Sequence, residues 1–222
     1  MSARDDIYTG IRRSLGVAAN DSARREAVRA RIAEAKGGIR PVRGEGDLEQ
    51  RIATFSAQAR SVSATVETVA SMQEAAAAIA AFLRSHNLPA RLKAGGDERL
   101  AGLPLGAQGV EVSTGISDGS DLNAVSHAEA GVSETGTLLL VSGAHNPSTL
   151  NFLPDNHIVI LKAGSIAPVY EDAFALVRAR YGKEEMPRTV NLITGPSRSA
   201  DIEQKLLLGA HGPRRLHIVI VR

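Results

Sequence analysis

The stretch "GVSETGT", residues 131–137, sets a carboxylate, Glu134, in a glycine-flanked turn between two apolar runs. Held there with its head toward a pocket, Glu134 could act as nucleophile or general base, and Thr135, Gly136 and Thr137 are ligand-binding candidates beside it. As a plain turn residue it would be solvated, or would accept from neighbouring backbone N–H groups. The spacing G-x-x-x-x-G is that of a phosphate loop, but no lysine follows and both flanks read as strands, so that chemistry is excluded.

A second stretch, "TGPSRSADIE" at 194–203, ends a β-branched run with Gly195 and Pro196 and predicts a helix start, with Ser197 or Ser199 as its cap. Arg198 then opposes the helix dipole unless it meets a negative group. One partner is Asp201, three residues on; the other is a carboxylate or phosphate of a ligand, shared by the guanidinium and the free N–H groups of the helix start. A third stretch, "HNPSTLN", offers His145, Ser148 and Thr149 to a small polar ligand, or is a turn around Pro147.

Metal and thiol chemistry find little support. The chain has no cysteine, so it can hold neither a thiolate zinc site nor its own iron–sulfur cluster. "HAE" at 127–129 lacks the C-x-x-C that a zinc deaminase needs, and the six histidines are scattered without i, i+4 spacing. No metal site is predicted.

These residues must be positioned by a fold. The length of 222 residues with 43% hydrophobic side chains suffices for a sizeable core. "SVSATVETV" reads as a strand and "SMQEAAAAIAAFLRSH" as a helix with Ser71 and Glu74 in capping-box spacing. "ARLKAG", "GVEVSTG", the two strands around 131–136, "NHIVILKAG", "RTVNLIT" and "LHIVIVR" complete the strands, with helices opened by Glu171-Asp172 and by the segment after Gly195. Strands apolar on both faces, alternating with helices, predict a three-layer α/β/α fold on a mainly parallel sheet. Ligands in such sheets settle at strand carboxyl ends near a switch in strand order.

Ahead of this lies a basic arm. Residues 1–43 hold ten of the 26 Lys and Arg but five of the 24 Asp and Glu. Residues 21–36 read as a charged helix with a thin apolar face at Ala23, Val28 and Ile32. Leu48, Ile52, Phe55 and Ala59 share one face of a second helix, so the arm, residues 1–60, is expected to dock through it, with the compact domain at 61–222. Aromatics are 3% of the chain, too few for a stacking platform, so nucleic acid is not an expected partner. The N-terminus has no apolar leader and the longest apolar block, "AAAAIAAFL", is too short to span a bilayer. A cytoplasmic protein is expected.

"AEAGVSETGTLLLVSG", "FLPDNHIVIL", "TGPSRSADIE" and "LGAHGPRRLHIVIVR", in this order and spacing, resemble the LUD-domain family, in its lactate utilization protein C (LutC/YkgG) branch. The resemblance implies a fold like that of the NagB/RpiA/CoA-transferase group. It also implies a role with two iron–sulfur partner proteins that together oxidise L-lactate to pyruvate, the clusters sitting on those partners and no cofactor on this chain. The family pattern carries an arginine ahead of the "LLP..H" stretch, where this chain has His145 to Thr149, so His145 is the available substitute at an anion site. Two other functions remain open: a small acyl- or phosphoryl-transfer enzyme of CoA-transferase or formyltetrahydrofolate cyclo-ligase type using Glu134, and a sensor for a small anionic ligand built on Arg198 and the 145–151 loop.

Overall fold

Six segments meet in one parallel sheet in the computed structural model, which describes residues 2–34, 37–182, 185–200 and 206–222. They are β1 (Thr65–Val69), β2 (Arg91–Ala94), β3 (Glu111–Thr114), β4 (Asn123–His127), β7 (Asn156–Lys162) and β12 (Arg215–Val221), in the order β1-β12-β7-β4-β2-β3. The central strands β4, β7 and β12 are buried along nearly their whole length, which is why β7 and β12 read as nearly continuous apolar runs rather than alternating ones. The expected mainly parallel α/β architecture is borne out.

Alternate side chains of these strands feed two separate cores. Ile158, Ile160, Val219 and Val221 face α4 (Met72–Ser85), meeting Ile79, Phe82 and Leu83. Ser71 caps α4 by accepting from the Glu74 N–H at 3.2 Å, while the Glu74 carboxylate reaches back to the Ala70 N–H at 2.9 Å, one residue beyond the usual capping-box partner. On the other face Val159, Leu161, Ile218 and Ile220 meet Ile52, Phe55 and Ala59 of α3 (Leu48–Ser61), a helix closed at its start by a reciprocal Asp47–Gln50 box.

Beside α3 on that second face lies a smaller sheet, with strand order β8 (Ile166–Ala167), β5 (Ala130–Val132), β6 (Thr137–Val141), β9 (Val190–Ile193). Leu138 and Leu140 of β6 join the Phe55 core, and the outer side of this sheet is covered by α5 (Tyr170–Tyr181) through Ala173 and Val177. The layers approach closely at Gly131, where a Cβ would lie 2.8 Å from Leu161 Cδ2 and 2.9 Å from Phe55 Cε2.

Three expectations need correction. "RTVNLIT" is not a strand of the parallel sheet: β9 runs antiparallel to β6, and its Leu192 is 46% exposed because the strand ends this small sheet. Among the described residues no helix follows Gly195; 201–205 lie outside them. Instead β10 (Arg198–Ala200) pairs antiparallel with β11 (Leu206–Leu208), because the Ser197 N–H donates to Pro213 O at 2.8 Å and Ser197 O accepts from the Gly209 N–H at 2.9 Å, so partners distant in sequence displace the local helical preference. The third concerns α3, read as part of the arm: the chain divides into two compact units, Met1–Ile39 and Arg40–Arg222, and α3 belongs to the larger.

The smaller unit holds α1 (Ala3–Leu15) and α2 (Ser22–Glu34). The charged helix expected at 21–36 is α2. The sequence reading left α1 out, although Ser2 and Asp5 form a complete capping box at its start. Neither helix buries a side chain.

Candidate functional site

Thr194 leaves β9, and the chain turns through Gly195 and Pro196 into Arg198 beside residues 209–213, to which Ser197 is tied by its backbone and by a weak 3.4 Å bond from the His211 N–H to Ser197 Oγ. Together with Asn151, Phe152, His157 and Leu216 these segments enclose a cleft of about 290 Å³. Among the described residues no carboxylate lines it. Arg198 is exposed and has no ion pair among the described residues; Asp201, its alternative partner, lies outside them. Among the described residues nothing compensates the Arg198 charge, which suits an anion. Since Arg198 itself lies in a strand paired with β11, it does not sit at the helix start expected there.

The floor is polar and buried. His157, the second residue of β7, is 1% exposed and its Nε2 lies 3.0 Å from Ser126 Oγ, while the Ser126 hydroxyl donates to Asn151 Oδ1 at 3.3 Å. His157 Nδ1 has no protein partner. Burial alone pushes the His157 pKa down to about 3, so the ring is neutral at physiological pH.

The structure separates the predicted residues. Gly195, Pro196, Ser197 and Arg198 line the cleft; Glu134, Thr135, Gly136, Thr137, His145, Ser148 and Thr149 do not. Glu134 is 8% exposed, and its Oε1 accepts from Arg43 Nε at 3.1 Å and Nη2 at 2.9 Å, so it does not face Arg198 across a pocket. Its neighbours form a hydroxyl cluster instead. Thr137 Oγ1 lies 2.7 Å from Thr135 Oγ1, 2.9 Å from the Tyr170 hydroxyl and 2.7 Å from Thr194 Oγ1, which joins the turn to the cleft wall without opening onto it. Gly136 is needed where it stands: its φ is +68° and a Cβ would lie 2.3 Å from Ala59 N. In the 145–151 loop, the His145 carbonyl covers Gly95, Thr149 Oγ1 accepts a 3.3 Å bond from the Ser117 N–H, and only Asn151 reaches the cleft.

The position in the sheet also differs from expectation. His157 and Leu216 are each the second residue of their strands, so the cleft opens at the amino ends of β7 and β12. The switch in strand order falls at the carboxyl ends of β2 and β4, where Arg99 holds Asp97 (Nη2–Oδ2 2.6 Å) and Glu129 (Nη1–Oε2 2.9 Å), and Arg180 pairs with the same Glu129 oxygen. Burial alone would raise the Asp97 pKa, but the hydrogen bonds from Arg99 outweigh it and hold the carboxyl well below the usual range.

The family model of the LUD domain matches residues 123–221. This part of the chain is similar to the LUD domain. The four motifs that carried the resemblance fall within it but for the final Arg222, and so do all the residues of the cleft. Lactate utilization protein C of Geobacillus sp. (strain WCH70) is 36% identical over 98 residues, 44% of this chain and 41% of that protein. The protein YkgG of Escherichia coli (strain K12) is 37% identical over 98 residues, 44% of this chain and 42% of its own length. The chain thus matches about two-fifths of the length of these curated relatives. Among solved structures, a DUF162 family protein from Deinococcus radiodurans superposes with a TM-score of 0.58 at 21% identity, covering 80% of this chain and all of that one, which supports the fold.

Within the LUD domain, sequence reasoning missed His157, Ser126 and His211. A signal existed for the first: His157 is a polar residue in the otherwise apolar run "HIVIL". Nothing in the spacing connects it to Arg198, 41 positions later; the return of the chain past β12 brings them together.

Proposed function

We propose that this chain is the ligand-holding, redox-inert component of a lactate-utilization system. It holds a small carboxylate in the Arg198 cleft, while iron–sulfur partner proteins accept the two electrons released as L-lactate becomes pyruvate. The observation that carries the reading is an arginine that, among the described residues, has no carboxylate partner and stands in a cleft lined by no acid, inside the stretch that matches the LUD domain and relatives named lactate utilization protein C. The absence of cysteine supports the division of labour, since clusters held by thiolates need residues this chain lacks. A cytoplasmic location belongs to the same reading; no helix among the described residues is long and apolar enough to cross a membrane.

The test is genetic and biochemical. Deletion of the gene should abolish growth on L-lactate, the wild-type chain but not Arg198→Ala should restore it, and iron–sulfur proteins should co-purify with the tagged chain. Normal growth of the deletion strain with no such partner recovered would sink the proposal. Carboxylate binding without a growth phenotype would instead favour a sensor. The geometry lends no support to acyl or phosphoryl transfer by Glu134, whose carboxylate is taken up by Arg43 outside the cleft.

A further inference from the structure

The helix α1 buries none of its side chains, although a helix of 13 residues is marginal in water unless something packs on its apolar face. That face exists. Ala3, Ile7, Ile11 and Leu15 recur every fourth residue along one row, with Tyr8 at its margin. Ile7, Tyr8, Ile11 and Leu15 are 62%, 45%, 49% and 58% exposed. Tyr8 is held rather than free, since the Arg4 and Arg12 guanidinium groups lie 5.5 and 5.8 Å from its ring centroid. The charges beside the row are sorted by end: Asp5 and Asp6 stand in the first turn, Arg12 and Arg13 in the last.

We infer that α1 is the contact by which two copies of this chain associate, the two helices lying antiparallel about a two-fold axis at Thr9, the middle residue of the helix. Such a contact is self-complementary, so each residue meets the one equally far from Thr9 on the other side. Ile7 and Ile11 are equally far from it, as are Ala3 and Leu15, so the apolar row meets itself with its small end against its large one. Asp5 and Arg13 are also equally far, and so are Asp6 and Arg12, which brings each acidic end beside a basic end of the other copy. A parallel pair would set acid beside acid. An anionic membrane would attract Arg12 and Arg13 but repel Asp5 and Asp6, whereas a second copy answers both signs. With a rise of about 1.5 Å per residue the helix is about 20 Å long, so the contact is smaller than a standard interface and the dimer dissociable, with a Kd on the order of 10 μM.

Analytical ultracentrifugation of the full chain from about 1 to 200 μM, a range that brackets this Kd, should show monomer passing into dimer. Ile7→Glu combined with Ile11→Glu should keep the chain monomeric throughout. Arg12→Glu with Arg13→Glu makes both ends of α1 acidic, and Asp5→Lys with Asp6→Lys makes both basic. Each of these variants alone should dimerise at least about tenfold more weakly, and an equimolar mixture of the two should restore the dimer, which loss of helix alone would not allow. A wild-type chain that stays monomeric to about 200 μM would overturn the inference, and flotation of that monomer with phosphatidylserine vesicles would assign the face to a membrane instead. A dimer untouched by the Ile7 and Ile11 substitutions would overturn it equally, since the copies would then meet elsewhere. Single-sign variants that dimerise like the wild type would overturn the antiparallel register.

Discussion

Three histidines are buried with their charge withheld, and together they make the protein acid-sensitive. Burial is the leading cause in each case: it lowers His157 to about 3, His127 to about 4, with the nearby Arg99 adding to the effect, and His217 to about 4. Each also leaves one ring nitrogen without a partner, although His217 Nδ1 meets Thr65 Oγ1 at 2.8 Å and its ring stacks on Phe82 at 4.3 Å. A base whose folded pKa is depressed stabilises the fold above its unfolded value near 6.5 and loses that contribution as pH falls, since the unfolded chain gains the proton first. At pH 5 the native rings remain neutral, whereas an unfolded imidazole is favoured by its protonation about 30-fold, which is about 2 kcal/mol per ring. Three rings give about 6 kcal/mol between pH 8 and pH 5, comparable to the whole stability of many domains. Urea unfolding followed by circular dichroism at pH 8, 6.5 and 5, at constant ionic strength, measures this directly. The loss should begin near pH 6.5, and His157→Phe should remove about a third of it. Stability constant within about 1 kcal/mol from pH 8 to 5 would refute the argument.

Other perturbations test the fold and the placement of charge. Phe55→Ala empties a fully buried site between the two sheets and should cost about 3–5 kcal/mol in chemical denaturation, whereas deletion of Met1–Ile39, in whose helices no side chain is buried, should shift stability by less than about 1 kcal/mol. Gly136→Ala places a Cβ 2.3 Å from Ala59 N at a positive φ and should cost more than about 2 kcal/mol by the same measurement. Glu134→Gln gives up an ion pair whose arginine is 66% exposed, so it should cost less than about 1 kcal/mol and leave carboxylate titration of the Arg198 cleft unchanged.

What was legible in the sequence follows from how local each signal is. The central strands are readable because a strand buried on both faces has no polar alternation to confuse, and Ser71 with Glu74 marks the start of α4 within four residues. The face of α3 was readable too, but spacing tells which residues point inward and not what they meet, so Phe55 looked like an anchor for an arm when it is central to a core. The pairing of β10 with β11 was not readable, since the serine-rich stretch ahead of β10 favours a helix cap locally while Ser197 is held by Pro213 and Gly209. Arg198 announced itself as an out-of-place charge. His157 did not, because a single histidine in an apolar run is as readily a satisfied core residue as a ligand-binding one.

Charge bookkeeping decides where a ligand gains most. At the carboxyl ends of β2 and β4, where open parallel sheets commonly bind, two arginines meet two carboxylates, and Asp97 and Glu129 have only 4% and 10% of their side chains exposed. An arriving anion would have to displace carboxylates already held, paying desolvation and receiving an exchange of equals. The Glu134 turn is likewise matched by Arg43. At the amino ends of β7 and β12 neither condition holds: Arg198 has no carboxylate against it among the described residues and His157 Nδ1 has no donor. A carboxylate binding at Arg198 breaks no ion pair among the described residues, so the same electrostatics that close the usual crevice of the sheet favour the cleft at its opposite end.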